Sequence, residues 1–189
     1  ARRHAVALVD RSRLDHAALA NGIVHLGLGA FARAHLLPAT EAAMLAAGDF
    51  RWGVVGVSLR SPATRDVLAP QHGCYTLALR DADDAGRPRE VLQVIGALTR
   101  VIVAPEDPAA VLEAIAAPAT RIVGLTITEK GYRHTASPDG VPVDAPGFIA
   151  HGLARRRARG LGPLTLMSLD NLPSNGAVLR ALVLEAAAF

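Results

Sequence analysis

The chain has 189 residues, 51% hydrophobic and 20% charged, with a formal net charge of +3. That composition suits one globular domain with enough apolar sequence for a full core. No apolar run approaches the ~18 residues a membrane span needs, and the opening residues, Ala-Arg-Arg-His-Ala-Val-Ala-Leu-Val-Asp, lack a signal-peptide pattern.

Residues 1–20 read as an N-terminal arm or short helix, with the domain proper over 21–189. Ile23, Val24 and Leu26 form a short buried strand ending at Gly27. From Ala30 to Ala47 an alanine- and leucine-rich pattern reads as a helix. Asp49-Phe50-Arg51 is a turn before a second apolar strand, Trp52 to Leu59. Ala63 to Leu68 suggests a short helix that Pro70 ends. Tyr75 to Leu79 and Glu90 to Ile95 read as a hairpin across a loop from Asp81 to Pro88. Val101 to Val103 is another short strand, and Asp107 precedes a helix through Ala116 that Pro118 stops.

Arg121 to Thr128 is apolar almost throughout, which predicts a strand buried on both faces. Gly131 to Pro146 is a polar, mobile loop. Phe148 to Arg159 is a helix ended by Gly160, Leu164 to Leu169 a last strand, and Asn175 to Phe189 a last helix. Strands alternating with helices predict an α/β fold: a doubly wound, mostly parallel sheet with helices on both faces.

The most informative stretch is Gly22 to His35. Its strand breaks at Gly27-Leu28-Gly29 and runs into a helix, with Ala32 at the third small position of G-x-G-x-x-G/A. Glycine lets the backbone approach a ligand closely, and the unpaired N–H groups of a first helical turn attract anions. The expectation is a Rossmann-like dinucleotide site in which the bend at Gly27 and Gly29 presents bare amides to a pyrophosphate. A ligand-free strand–helix turn is the competing reading.

In such a sheet, ligands bind beyond the carboxyl ends of the strands. At the end of the second strand stand Ser58-Leu59-Arg60-Ser61, where an acid would usually hold the adenosine ribose. Arg60 there either pairs with a 2′-phosphate, favouring NADP, or is an ordinary surface arginine. Two further strand ends, Thr128-Glu129-Lys130-Gly131-Tyr132 and Asp170-Asn171-Leu172-Pro173-Ser174-Asn175-Gly176, bring polar groups to the same edge. Asn171 offers a donor and an acceptor for orienting a carbonyl or hydroxyl. Lys130 is either a general base or, the favoured reading, paired with Glu129. Asn175-Gly176 reads as a turn or cap.

His25 reads as a satisfied core histidine and His35 as packing or solvent-facing. No His, Cys or carboxylate set has metal-ligand spacing, and no nucleophile motif appears. Cys74 is the only cysteine, so no internal disulfide can form. The expected setting is a reducing cytoplasm, with the thiol as inert packing. Lys130 is the only lysine, which reconciles the modest net charge with a pI near 9.7. Arg155-Arg156-Arg157-Ala158-Arg159 reads as the solvated C-terminal end of a helix, where cations suit the macrodipole. A nucleic-acid surface is disfavoured, because no aromatic residues interleave with the arginines.

Taken together, Ile23 to His35, Gly56-Val-Ser-Leu59, Tyr75-Thr-Leu77, Leu125 to Tyr132, Arg155-Arg-Arg157 and Ser168 to Gly176 resemble the polyol-specific long-chain dehydrogenases. That family includes mannitol dehydrogenases and hexuronate reductases such as fructuronate reductase. The resemblance runs in order from Asn21 onward. It implies metal-independent hydride transfer between NAD, or NADP, and a polyol or sugar acid. It implies cofactor contacts at Gly27, Gly29, Ala30, Phe31, Arg33, Ser58 and Arg60, with Thr128, Glu129 and Lys130 on the nicotinamide side. Asn171 would orient the reacting oxygen. The family commonly has His, Gln and Cys where Ala32, Leu36 and Leu169 stand. The resemblance also implies a catalytic lysine in a second, largely helical domain downstream of Phe189. The partners it implies are a small polyol or sugar-acid substrate and that C-terminal domain, with neither nucleic acid nor membrane. These residues alone would then bind dinucleotide weakly and turn nothing over. A non-catalytic nucleotide-sensing module on the same scaffold is the alternative.

Overall fold

The computed structural model describes the backbone of residues 6–10 and the whole of residues 14–188. In chain order its strands are β1 (Val6–Asp10), β2 (Ile23–Leu26), β3 (Val54–Ser58), β4 (Tyr75–Ala82), β5 (Pro88–Ile95), β6 (Leu98–Val103), β7 (Ile122–Leu125) and β8 (Thr165–Ser168). Its α-helices are α1 (Leu37–Ala47), α2 (Ala63–Leu68), α3 (Pro108–Ala116), α4 (Ala145–Ala158) and α5 (Asn175–Ala186). No helix among the described residues is long and apolar enough to cross a membrane.

The main sheet has the order β6-β3-β2-β7-β8, and every pairing in it is parallel. Strand β2 is central and buried along its whole length. Alternate residues of the strands feed two cores. On one face Val24, Leu26, Val55 and Val57 pack with Val111 and Ile115 of α3, Phe148 and Ile149 of α4, and Leu179 of α5. On the other, Ile23, Val54 and Leu98 pack with Leu37 and Met44 of α1 and Leu68 of α2. Helices thus cover both faces, as the sequence pattern predicts. Each fully buried aliphatic side chain contributes roughly 1.5–3 kcal/mol, so both layers are needed to hold the sheet.

Three elements depart from the expectation. The hairpin β4–β5 is not part of the main sheet: with β1 it makes a separate three-stranded sheet of order β1-β5-β4. Val6–Asp10 is therefore a strand parallel to β5 and not a helix, and residues 1–5 and 11–13 of the expected arm lie outside the described residues. The hairpin also extends to Ala82 and Pro88, leaving a shorter loop. Cross-strand pairs Arg80–Glu90 and Asp81–Arg89 carry the ladder through polar sequence, and Asp83 closes the turn by accepting from Ala85 N–H and Arg87 N–H. Hydrophobic alternation stops before those residues, so it cannot show them.

The helix expected from Ala30 does run to Ala47, but through a π-helical turn at Ala32–Leu36. Leu37 N–H reaches back to Ala32 O, five residues away. Pro38 lacks an N–H, and its ring would crowd a carbonyl one α-turn earlier. The wider turn relieves that conflict.

Helix α4 begins three residues before Phe148, where Asp144 Oδ1 accepts from Gly147 N–H (2.8 Å) and Pro146 sits in the first turn. Gly160, at φ 66°, ends it. The arginine cluster does stand at the C-terminal end of the helix, but it is not solvated throughout. Arg156 is buried and donates to the carbonyls of Ile115, Ala117 and Gly162. Arg155 and Arg159 share Glu113 on α3.

Candidate functional site

A cleft of about 410 Å³ opens at the carboxyl edge of the main sheet. Gly27 to Gly29, Ser58 to Arg60 and Thr126 to Thr128 line it from the ends of β2, β3 and β7. Lys130, Gly131 and Arg133 join from the loop after β7, and Val143 to Ala145 from the start of α4. The chain leaves β2 towards β3 and later returns past it to β7, so the loops on either side of β2 diverge. A crevice at such a switch point is where open α/β sheets bind ligands.

Gly27 has φ 93°, and its N–H donates to Val57 O (2.9 Å). Leu28 N–H reaches the same carbonyl at 3.3 Å, and Gly29 N–H bonds Gly27 O at 2.7 Å. These three amides are taken within the chain, which corrects the expectation that the bend itself offers bare N–H groups. The open donors lie one step on, at the exposed Ala30 and Phe31, where a helix has no internal acceptor. Gly29 is exposed, and a Cβ there would meet nothing nearer than Gly27 O at 4.0 Å. Packing does not require a glycine at that position, whereas close approach of a ligand does.

Behind the bend runs a buried relay. Thr126 Oγ1 donates to Gly27 O (2.7 Å), so its lone pair receives the His25 Nε2–H, also at 2.7 Å. The imidazole is thereby fixed as the neutral Nε2–H tautomer. Its Nδ1 is buried with no hydrogen-bond partner among the described residues and lies over Gly124, where a Cβ would come within 2.7 Å of it. His25 is thus a core histidine satisfied on one nitrogen only.

Burial pushes the His25 pKa down to about 4, against a weaker opposing pull from Asp170. Between about pH 4 and 6.5 the unfolded chain therefore binds the extra proton, so stability rises with pH across that window. The contribution, on the order of 3 kcal/mol, is complete above about pH 6.5 and lost as pH falls towards 4. Urea unfolding from pH 4 to 7 is expected to show this slope and His25→Gln to flatten it; an unchanged slope in the variant would assign it to other groups.

Arg60, Lys130 and Arg133 line the cleft, are exposed, and pair with no carboxylate among the described residues. The expected Glu129–Lys130 pair is not formed. Asp144, the acid in the lining, is engaged by Gly147 N–H, by Thr135 N–H (2.6 Å) and by His134 Nδ1 (3.2 Å). The cleft therefore carries an excess of positive charge suited to phosphates.

One wall is held by Asp170. Its Oδ2 accepts from Ile127 N–H (2.9 Å) and Tyr132 Oη–H (3.0 Å), and its Oδ1 from Thr128 N–H (3.1 Å). Burial pushes the Tyr132 pKa up to about 12, and its hydroxyl also meets Ser168 Oγ. Thr128 sits at φ 64°, a strained conformation for a β-branched residue. The bracket from Asp170 holds it there, beyond β7, which ends at Leu125 and not at Thr128.

Of the residues expected at the site, Gly27, Gly29, Ser58, Arg60, Thr128 and Lys130 come together in the cleft. Ser58 spends its hydroxyl on Ser61 O (2.6 Å), closing the turn that carries Arg60. Ala30, Phe31 and Arg33 lie on the helix that starts at the cleft edge but do not line it. The Phe31 ring lies 4.9 Å from that of His35, and Arg33 O accepts from the Tyr75 hydroxyl. Glu129 and Asn171 are exposed and outside the lining. Asn175 Nδ2 donates to Asp170 O (2.9 Å), bracing the turn before α5. Cys74 lies 3.3 Å from His16 Nε2, and burial raises its thiol pKa, which disfavours reactivity. Sequence reasoning misses Arg133, Asp170 and the His25–Thr126 relay. Asp170 carried a signal, as the first acid after an apolar strand; the other two carried none. Among the described residues, no group of three His, Cys, Asp or Glu could hold a metal ion.

A central glycine turn, this strand order and a cleft at the switch point define a Rossmann-type nucleotide-binding domain. The sequence matches the family model for the mannitol dehydrogenase Rossmann domain over residues 21–188. It is 36% identical over 180 residues to mannitol dehydrogenase DSF1 of Saccharomyces cerevisiae, an alignment covering 86% of this chain and 35% of the relative. Identity to a mannitol 2-dehydrogenase of Pyrenophora tritici-repentis is 34% over 182 residues, covering 87% and 31%. Among solved structures, mannitol 2-dehydrogenase of Pseudomonas fluorescens in ternary complex with NAD and D-mannitol matches with a TM-score of 0.84 and 37% identity, over 95% of this chain and 39% of that one. A substrate-free D-sorbitol dehydrogenase matches with a TM-score of 0.83 and 31% identity, over 95% and 40%. The chain belongs to the mannitol dehydrogenase Rossmann-domain family and spans about a third of the length of the curated relatives it matches.

Proposed function

We propose that this chain is the cofactor-binding domain of a polyol dehydrogenase that takes a nicotinamide dinucleotide, NAD or its phosphorylated form. The observation that carries the reading is the open glycine at position 29 beside a cleft with three unpaired cations. Gly29 leaves room for a pyrophosphate, the Ala30 and Phe31 amides donate to it, and Lys130 and Arg133 balance its charge. Arg60 holds the adenosine side on the turn that the Ser58 hydroxyl closes, and Arg33 stands at the helix start. Thr128, Glu129 and Lys130 border the nicotinamide, and Asn171 orients the substrate oxygen. When bound, the nicotinamide supplies the hydride acceptor for oxidation of a secondary alcohol.

The reading assigns residues 21–189 to this domain and residues 1–20 to an arm that adds β1. Proton abstraction and most substrate contacts fall to a lysine and neighbours in a second, helical domain. Mannitol-type polyols come ahead of hexuronates as substrates, because the relatives named are mannitol and sorbitol dehydrogenases. A lone thiol of raised pKa suits a reducing compartment, and the cytoplasm is the one proposed.

The test is Gly29→Ala in the full-length protein. Dinucleotide affinity is expected to fall at least about tenfold, with unfolding stability within about 1 kcal/mol of the parent. Parent protein that binds neither NADH nor NADPH, or a variant that binds them as well as the parent, would sink the proposal.

A further inference from the structure

We infer that His25 and Thr126 are positioning residues for the dinucleotide site: their relay latches the Gly27 carbonyl to the sheet and keeps the glycine bend in the form that admits a phosphate. The inference rests on the dinucleotide reading above and assigns part of that site's anion affinity to two side chains behind it.

The peptide between Gly27 and Leu28 is gripped from both sides. Its N–H reaches Val57 O on β3 at 3.3 Å, and its carbonyl, Gly27 O, takes the Thr126 hydroxyl proton at 2.7 Å. Gly29 N–H also reaches Gly27 O at 2.7 Å, but it closes a three-residue turn and moves with the bend. Thr126 is anchored elsewhere, through its own N–H donating to Leu26 O (3.0 Å) at the end of β2. The hydroxyl is therefore the bond that ties this carbonyl to the sheet. With glycine before the peptide, no side chain resists its rotation once that bond is lost. Turned outward, the oxygen would bring partial negative charge to a cleft lined by Gly27, Gly29 and Thr126 and would repel an anion there.

His25 aims the hydroxyl. Thr126 lines the cleft, and a threonine hydroxyl rotates its proton towards whichever acceptor is at hand. Here the His25 Nε2–H fills an Oγ1 lone pair at 2.7 Å, which leaves the proton directed at Gly27 O. Packing does not call for a histidine at this position. His25 is fully buried between Val24 and Leu26 in the central strand, and its Nδ1 has no hydrogen-bond partner among the described residues. A buried acceptor left unpaired weakens the fold, and an aliphatic side chain would avoid that loss. Gly124, in register with His25 on β7, leaves room for the ring, since a Cβ there would lie 2.7 Å from Nδ1. The bond from Nε2 accounts for both residues.

The experiment is a fluorescence titration of full-length protein with NADH and NADPH, with adenosine as a competing, phosphate-free probe, for the parent, Thr126→Val, Thr126→Ser and His25→Leu. Valine keeps the shape and loses the hydroxyl, whereas serine keeps the hydroxyl and loses the methyl. Urea unfolding of each variant sets conditions in which the protein titrated is folded. Thr126→Val is expected to weaken dinucleotide binding about tenfold while adenosine stays within about twofold of the parent, and Thr126→Ser to keep the dinucleotide within about threefold. His25→Leu, which removes the donor that aims the hydroxyl, is expected to fall between the two. Unchanged dinucleotide affinity in Thr126→Val or His25→Leu, an equal loss for adenosine, or a serine variant as weak as the valine one would overturn the inference while leaving the dinucleotide reading intact. Binding of neither NADH nor NADPH by the parent would overturn both.

Discussion

Gly27→Ala is expected to destabilise the protein by about 4 kcal/mol or more, enough to leave much of it unfolded at 37 °C. Two effects add. At φ 93° the backbone is in a region that L side chains rarely occupy, which costs about 1–3 kcal/mol. A Cβ would also stand 2.1 Å from Thr126 O and 2.8 Å from its carbonyl carbon. Those are backbone atoms just beyond β7, tied to β2 by Thr126 N–H donating to Leu26 O (3.0 Å). Making room would pull Thr126 away and break its bonds to Gly27 O and His25. Gly29→Ala, two residues on, meets nothing closer than 4.0 Å. The pair thus separates the roles of the two glycines, one in stability and the other in ligand access. Urea unfolding followed by circular dichroism measures it, and a Gly27→Ala midpoint near the parental one would refute the geometry.

Asp170→Ala is expected to cost about 3–4 kcal/mol and to weaken dinucleotide binding along with stability. The carboxylate accepts three hydrogen bonds, and removing it leaves the buried Ile127 N–H without an acceptor. Bonds to a charged group contribute roughly 1.5–3 kcal/mol each, while the exposed Thr128 N–H recovers part of its loss from water. With the bracket gone, the strained Thr128 would relax and carry Lys130 out of the cleft. Asp170→Asn keeps one acceptor oxygen and is expected to lose less than half as much. A purely global loss, with dinucleotide affinity of the folded fraction unchanged, would show that Asp170 does not position the wall.

The glycine turn, the helix after it and the β3 strand end were legible because each is written in consecutive residues. Gly-x-Gly after an apolar run, Asp107 before Pro108, and Gly160 after the arginine run are local signals acting over one or two turns. The same locality explains the errors. Arg156 looks like its neighbours Arg155 and Arg157, yet it reaches carbonyls at Ile115 and Ala117, about forty residues back along the chain. Lys130 beside Glu129 suggests a pair, but the 3-10 turn at Glu129–Gly131 does not bring their charges together.

By itself the sequence determined the α/β alternation, the parallel sheet covered on both faces, the family, and the strand ends where a ligand would sit. Those follow from hydrophobic period and backbone restrictions, which each residue shares only with near neighbours. Only the tertiary structure decided which bend amides are free, which acid holds Thr128, and which cations are left for a ligand. These depend on strands such as β2 and β7 becoming neighbours, so that His25 meets Thr126 across 101 positions and Asp170 meets Ile127 across 43. A hydrogen bond at 2.7–2.9 Å has no counterpart in the order of residues until the sheet has assembled.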